Sequence, residues 1–337
     1  MDKVRFGVIG VGRMGFEHAM NLASRVPGAE LVAVCSRHEE TAAETAKKLG
    51  VRYYTDAAEL VRADDIDAVC INSSTGAHGE HIRMALEAGK HVFCEKPLAE
   101  SVEDCLKTEA VVAAHPELIF MLGFMRRFDR SYAIAKQKVD RGDIGKVIMV
   151  RCNSQDPAAI VEGFLKYASH SAGIFHDLAV HDMDLIRWFT GSEPKRLMAA
   201  GGCYAYPEIA QYGDGDNVAC LIENQNGTMA TLFAGRSAAH GTAVETEIIG
   251  TEGSLRIGSV PTDSYIEVLD DKGVRRECWQ DFVDRWHDAY INEMEYFVNC
   301  VKTGTPAAPT AADGTAAVRT ACMCRDAFRT GKMLTNE

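Results

Sequence analysis

The chain has 337 residues, with 36 Lys and Arg against 48 Asp and Glu, and so a formal charge of −12, which disfavours any role resting on phosphate-backbone contacts. With 47% apolar and 25% charged residues the composition is that of a water-soluble globular protein, longer than one core usually supports. No apolar run approaches the roughly 20 residues of a membrane-spanning helix, so two domains are expected, with neither nucleic acid nor membrane as a partner.

Residues 1–123 alternate short β-rich apolar runs with helical stretches, the pattern of parallel strands joined by crossover helices. Strands are expected at Val4 to Ile9, Glu30 to Cys35, Arg52 to Tyr54, Ala68 to Asn72, His91 to Cys94 and Ile119 to Gly123. Val8-Ile9, Leu31 to Val34 and Ala68 to Ile71 are apolar throughout, as strands buried on both faces are. Ser101 and Asp104 approximate a capping box for a helix running to about Ala114. This half reads as an α/β, doubly wound Rossmann domain.

Beyond Gly123 the period changes. Lys146 to Ser154, Arg196 to Tyr206, Val218 to Glu223, Thr228 to Ala238, Val244 to Gly250, Ser254 to Ile257 and Tyr265 to Leu269 read as strands of a largely antiparallel sheet, with Asn226-Gly227 as a hairpin turn. Helices are expected at about Asp177 to Thr190, Phe282 to Thr303 and Asp313 to Thr330. Residues 124–337 are thus expected to form an α+β domain.

Gly10-Val11-Gly12-Arg13-Met14-Gly15 follows the first strand and opens the first helix, with the second strand about twenty residues on. In that context the first glycine makes the turn, the second lets backbone approach a pyrophosphate, and the third lets helix and strand pack, while the helix N-terminus faces the phosphates. Gly10, Gly12, Arg13, Met14 and Gly15 are therefore assigned to a dinucleotide. The second strand ends Cys35-Ser36-Arg37-His38, without the acidic residue that would bond both ribose hydroxyls. A hydroxyl followed by a guanidinium suits a 2′-phosphate, with Arg13 as a second cation; the alternative is a solvated Arg37 and no phosphate. NADP is the expected cofactor and NAD the alternative.

Glu95-Lys96-Pro97 closes the fifth strand, at the edge where open α/β sheets bind ligands, and Lys96 is there either a donor to a substrate oxygen or a surface lysine. Asp177 and His181 are four apart on an expected helix, with Asp184 and Trp188 continuing the face. A carboxylate one turn from an imidazole can orient it and stabilise its protonated form; the plainer alternative is a helix-surface contact. No metal is expected: His176, Asp177, His181 and Asp182 include neighbours that diverge by about 100° on a helix, and Cys322-Met-Cys324, the one close cysteine pair, diverges too. The eleven scattered cysteines read as reduced thiols, and Met1-Asp2-Lys3 leads directly into the first strand without a cleavage site, so a cytoplasmic protein is expected.

Four segments together carry a resemblance over essentially the whole chain. Gly10 to Gly15, Phe93-Cys94-Glu95-Lys96-Pro97-Leu98, Gly123-Phe124-Met125-Arg126-Arg127-Phe128 and Gly173-Ile174-Phe175-His176-Asp177-Leu178-Ala179-Val180-His181-Asp182 resemble the glucose-fructose oxidoreductase / inositol dehydrogenase / rhizopine-catabolism family, most closely its inositol 2-dehydrogenases. The resemblance implies a Rossmann domain followed by a large, open, mostly antiparallel sheet that mediates dimers or tetramers, a homotetramer among them. It implies an NAD(P)-dependent dehydrogenase acting on a secondary hydroxyl of a cyclic polyol or sugar, an inositol first, with Lys96, Asp177 and His181 as the catalytic trio. His181 would take the hydroxyl proton, Lys96 would stabilise the developing alkoxide, and Asp177 would orient the imidazole or hold a neighbouring hydroxyl. Ser36, Arg37, Ser73, Thr75, His78, Glu95 and Lys96 join the glycine loop in holding the cofactor. Arg126, Ser154, Asp156, Asp184, His240 and Tyr290 join the trio around the substrate; for His240 solvent exposure, and for Tyr290 helix packing, are the competing readings.

The chain departs from the family pattern in reading Ser74-Thr75-Gly76-Ala77-His78 where many relatives carry Thr-Pro, in lacking an acidic residue at Ser36, and in carrying Ser154 where some inositol enzymes have histidine. The competing functions are a dehydrogenase of another sugar, whether aldose, deoxy or amino sugar, and a non-catalytic dinucleotide sensor. The sensor would show loss of the lysine or the histidine, and both are present.

Overall fold

A computed structural model describes residues 3–166, 168, 171–259, 262–264 and 266–336. The chain divides into two compact units, Met1–Phe128 with Asp288–Val318, and Asp129–His287 with Arg319–Glu337.

In the first unit six strands, β1 (Val4–Ile9), β2 (Ala29–Cys35), β3 (Arg52–Tyr54), β4 (Ala68–Ile71), β5 (His91–Glu95) and β6 (Phe120–Gly123), form one sheet in the order β3-β2-β1-β4-β5-β6. Every pair in it is parallel. The helices α1 (Arg13–Ser24), α2 (Glu39–Leu49), α3 (Ala57–Val61), α4 (His78–Glu87) and α5 (Val102–Ala113) supply the crossovers. The strand order reverses beside β1, and sheets of this kind open a ligand crevice at the carboxyl ends of the strands flanking such a point. The expected capping box is present: Ser101 Oγ accepts the Asp104 N–H at 3.1 Å.

The second unit begins with helices α6 (Arg130–Asp140), α7 (Val161–Leu165), α8 (Ile174–Asp177) and α9 (Val180–Thr190) around the first of its strands. Those strands are β7 (Val147–Pro157), β8 (Pro194–Gly202), β9 (Asn217–Asn224), β10 (Met229–Ala238), β11 (Ala243–Gly250), β12 (Ser254–Ile257), β13 (Val268–Asp270), β14 (Gly273–Arg275) and β15 (Leu334–Thr335). Seven form a sheet in the order β12-β11-β7-β10-β9-β8-β15, while β13 and β14 make a separate hairpin. All pairs in the large sheet are antiparallel except β7 with β10. Burial alternates residue by residue along β9, with Val218, Cys220 and Ile222 inside and Ala219 and Leu221 outside. This sheet therefore has a packed face and an open one, and the open face shows Met198, Leu221 and Met229, each more than two-fifths exposed.

Four sequence expectations are corrected. The chain does not divide in two at 123/124, because α10 (Phe282–Thr303) sends Met294, Phe297 and Val298 into the Rossmann core, where Phe297 meets Phe6 at 6.1 Å and Phe93 at 6.0 Å between ring centroids. The last helix, α11 (Ala311–Thr330), is divided between the two units, its residues to Val318 belonging to the first and those from Arg319 to the second. The strand expected to run to Tyr206 ends at Gly202, because the buried Asp216 carboxylate accepts the N–H groups of Tyr204, Ala205 and Tyr206 and draws that segment out of the ladder. The helix expected over 177–190 is two helices, α8 and α9, and α6 and α7 were not expected. The strand expected at Tyr265 to Leu269 starts on a residue outside the described ones, and of its described part Val268 and Leu269 belong to the small hairpin while Ile266 and Glu267 lie in no strand.

Candidate active site

The glycine loop meets the demands of a bound pyrophosphate. Gly10 has φ +85°, and a Cβ there would lie 2.6 Å from the Asn72 carbonyl oxygen; a Cβ on Gly15 would lie 1.8 Å from the carbonyl oxygen of Gly10. Both glycines are required by the closeness of other backbone. Gly12 differs: nothing lies within 4 Å of where its Cβ would be, and as the N-cap of α1 it supplies no side-chain hydrogen bond. The first turn of α1 carries no acidic residue. A helix start capped by a glycine with open space around it fits a dinucleotide phosphate. Arg13 is exposed and Met14 half-buried on that same turn.

At the end of β2, Ser36 is half-buried and its Oγ accepts the His38 N–H, while Arg37 is exposed. After β4, Ser73 Oγ bonds His81 Nδ1 at 2.9 Å and Thr75 is half-buried. His78, expected to face a cofactor, is turned inward. It is 1% exposed, with Nδ1 2.9 Å from the Pro97 carbonyl and Nε2 3.0 Å from that of Ser73, and burial pushes its pKa down. Its imidazole is packed between the loop after β4 and the loop that carries Lys96, and its single N–H in the neutral form donates to one of the two carbonyls.

Glu95 is 9% exposed; its Oε1 sits 2.7 Å from His18 Nε2, and its Oε2 accepts the Lys96 backbone N–H at 3.1 Å. Behind it stands Glu293 of α10, fully buried, with neither carboxyl oxygen hydrogen-bonded. Burial, with the Glu95 charge beside it, holds the Glu293 carboxyl well above its usual range. Ligand atoms of His18, Glu95 and Glu293 lie within 4.8 Å of one another. The His18–Glu95 contact is shorter than the roughly 3.3 Å that separates two ligands of one tetrahedral ion, and it reads as a hydrogen bond. Tyr290 is 4% exposed and meets the His18 ring edge-on at 5.7 Å, which is the packing role its helix suggested. Arg126, in the turn after β6, is 3% exposed.

In the second unit Asp177 closes α8, His181 lies in the first turn of α9, and Ala179 N–H reaches back to the Ile174 carbonyl across the junction. Asp177 Oδ2 accepts from Arg236 Nη2 at 2.9 Å, a partner on β10 that no local spacing announces. Asp156, at the end of β7, lies 3.6 Å from the Nη1 of the same arginine. His181 is 7% exposed and Asp184 1%. Ser154 is fully buried and donates to Asp182 Oδ1 at 2.8 Å, so its hydroxyl proton is directed into the unit. His240 is exposed at the end of β10. Arg236 of β10 thus joins Asp177 to Asp156, and Ser154 of β7 is joined to Asp182 of α9, whereas His240 stands out in solvent.

Sequence reasoning missed His18, Glu293 and Arg236. Each carries a weak signal: a charged or polar residue inside an apolar stretch, as in Leu232-Phe233-Ala234-Gly235-Arg236, or on the apolar face of a helix, as Glu293 is beside Met294 and Phe297.

Comparison with known proteins places this geometry. The family model described as "Oxidoreductase family, NAD-binding Rossmann fold" matches residues 4–124, and that of the "GFO/IDH/MocA C-terminal domain" matches residues 132–256. A scyllo-inositol 2-dehydrogenase (NAD(+)) of Bacillus subtilis is 37% identical over 98% of this chain and 95% of its own length. The chain belongs to the GFO/IDH/MocA oxidoreductase family. A further member, the myo-inositol 2-dehydrogenase of Thermotoga maritima, is 34% identical over 92% of both chains. Among solved members, scyllo-inositol dehydrogenase from Lactobacillus casei, with bound cofactor NAD(H) and scyllo-inositol, superposes with a TM-score of 0.95 at 41% identity over 99% of each chain. The family's Rossmann domain and its mostly antiparallel second sheet are both present here. No helix among the described residues is long and apolar enough to cross a membrane.

Proposed function

We propose that this protein is a nicotinamide-dependent dehydrogenase that interconverts a secondary hydroxyl and a ketone on an inositol. The observation that carries the reading is the match along nearly the whole chain, at 41% identity and a TM-score of 0.95, to an enzyme whose structure holds NAD(H) and scyllo-inositol, joined to the presence of Lys96, Asp177 and His181. The dinucleotide is held by Gly10, Gly12, Arg13, Met14 and Gly15 at the phosphates and by Ser36 and Arg37 at the adenosine ribose. Relatives named for NAD favour NAD(H) over the NADP suggested by Ser36 and Arg37, and that preference for NADP finds no support among them.

When bound, the cofactor supplies the hydride acceptor; the protein supplies the proton chemistry and the positioning. His181 takes the proton of the reacting hydroxyl. The Lys96 ammonium stabilises the negative charge that develops on that oxygen. Asp177, anchored to Arg236, orients the imidazole or a neighbouring hydroxyl. Asp156, Asp184 and Arg126 provide the remaining polar contacts to the ring. His78 acts through the Lys96 loop it braces. The eleven cysteines are free of disulfides, which suits a reducing, cytoplasmic setting, and the open sheet face suits association into dimers or tetramers.

An initial-rate screen of myo-inositol, scyllo-inositol and common aldoses against NAD and NADP tests the reading. Inositol turnover with NAD, lost by at least about a hundredfold in His181→Ala, is expected. Preferential turnover of an aldose, or full rate in His181→Ala, would overturn it.

A further inference from the structure

Arg236 is the feature of the second unit that the mechanism uses and does not explain. The residue is 2% exposed. It lies where the alternation of β10 breaks: Ala234, Gly235 and Arg236 are buried in succession, and the register with β7 shifts between Gly235 and Ala238. Its guanidinium carbon stacks 3.8 Å from the centroid of the Phe164 ring. Burial works against the charge, and Asp177, Asp156 and Asp214 together outweigh it, so the group stays protonated. Of those carboxylates Asp214 is turned to the backbone, accepting the Ile174 N–H at 3.1 Å. Asp177 and Asp156 flank the guanidinium on two sides, at 2.9 and 3.6 Å, and keep 34% and 16% of their side chains exposed.

A carboxylate paired in this way only accepts hydrogen bonds, and Arg236, 2% exposed, with its Nη2 bonded to Asp177, its Nη1 turned toward Asp156 and its Nε enclosed, presents no accessible donor to an anion. Two fixed acceptors around one enclosed cation, with a third carboxylate behind, make a surface that takes hydroxyl donors and repels negative charge. We propose that Arg236 sets the substrate class of the site, fixing Asp156 and Asp177 as a pair of acceptors for two hydroxyls of an uncharged polyol and excluding its acidic counterparts. This rests on the polyol dehydrogenase reading and deepens it. Arg236 is a positioning residue: it touches the carboxylates, and they touch the substrate.

The test compares the unsubstituted protein with Arg236→Lys and Arg236→Met, using the best inositol, a hexuronate as the acidic counterpart, and NADH binding followed by fluorescence. Lysine keeps the charge and loses the two-sided fork. Arg236→Lys is expected to raise KM for inositol about tenfold with kcat within about threefold, and to bind NADH unchanged. Arg236→Met is expected to lose at least about a hundredfold in kcat/KM. The hexuronate is expected to be turned over at least about a hundredfold less efficiently than inositol by the unsubstituted protein. Should Arg236→Met fail to fold, Arg236→Lys decides alone: unchanged KM overturns the proposal, as does hexuronate turnover equal to that of inositol. Absence of any polyol turnover by the unsubstituted protein with either cofactor is a different outcome, which overturns the parent reading and this proposal with it.

Discussion

Gly12 and Gly15 separate two uses of the same residue type within one turn of backbone. A methyl group on Gly15 would sit 1.8 Å from a carbonyl oxygen, whereas one on Gly12 would meet nothing within 4 Å. Gly12→Ala is therefore expected to fold with an unchanged thermal midpoint and to raise KM for the dinucleotide about tenfold, because the methyl occupies the approach of the pyrophosphate. Gly15→Ala is expected to lower both the midpoint and the affinity. Thermal scans beside initial rates distinguish the two, and equal thermal loss in both variants counts against the assignment of Gly12. Glu293 permits a second prediction at this scale. Its carboxyl, facing Glu95, His18 and Tyr290, keeps its proton in the native state above the usual 4.5, whereas the unfolded chain releases it there. Stability contributed at this site is present below that pH and declines as pH rises toward the native value, by about 1.4 kcal/mol for each unit. Glu293→Gln keeps the shape and removes the titration, so its thermal midpoint is expected to exceed that of the unsubstituted protein at pH 8 and to converge with it near pH 5. A lower midpoint at pH 8 contradicts this. Lys96 and the glycine loop are legible in the sequence because each belongs to a contiguous motif at a strand end. His18, Glu293 and Arg236 are not, because what makes them matter is a contact 77 residues away for His18 and 59 for Arg236.

The α8–α9 segment shows what periodicity misses at the scale of an element. Apolar and polar residues repeat with helical spacing straight through Ile174 to Thr190, and nothing in that spacing reports the slip at Ala179. Gly173, at φ +88°, caps α8, Ile174 N–H is taken by Asp214, and the short helix ends at Asp177. One turn later the chain starts again as α9, carrying His181. His176, buried in α8, has Nε2 3.4 Å from Cys322 Sγ of α11. Burial first, and then the Arg325 charge, pull its pKa from 6.5 to about 4, with Asp326 acting the other way and Arg329 adding to the fall. The unfolded chain thus binds a proton below pH 6.5 that the native one refuses until about 4. Stability is lost as pH falls across that window, by about 3 kcal/mol in all. Urea midpoints at pH 7 and pH 4.5 are expected to differ less in His176→Gln than in the unsubstituted protein, and an equal difference would place the acid sensitivity elsewhere. The parallel pairing of β7 with β10 was hidden in the same way. Each strand has the period of a sheet with one open face, and that period is indifferent to the direction of its neighbour.

For the molecule as a whole, the presence of two domain types was legible in the length and in the change of period after Gly123, but the path of the chain was not. The apolar stripe of α10 says that one face is buried without saying against which unit, and only the contacts of Phe297 with Phe6 and Phe93 assign 288–318 to the Rossmann core. The second sheet raises the opposite question, since its packed face is accounted for and its open face is not. Leu221 and Met229, 49% and 42% exposed, stand on adjoining strands near the middle of that face, with the Arg151–Glu247–Arg256 ion pairs at one side. An apolar patch rimmed by charge is costly to leave in water, and the association proposed above would cover it with a second copy presenting the same face. Placing a carboxylate at Leu221 would bury two unpaired charges across such a two-fold contact, at several kcal/mol, while costing little on a solvated face. Leu221→Glu is accordingly expected to lower the mass in solution to that of one chain, with its far-UV spectrum unchanged. Leu106 on α5 is equally exposed, at 49%, and Leu106→Glu serves as the matched control, expected to leave the mass as it was. Light scattering after size exclusion reads both; a single-chain mass for the unsubstituted protein, or an unaltered mass for Leu221→Glu, would show that this face meets water and not another subunit.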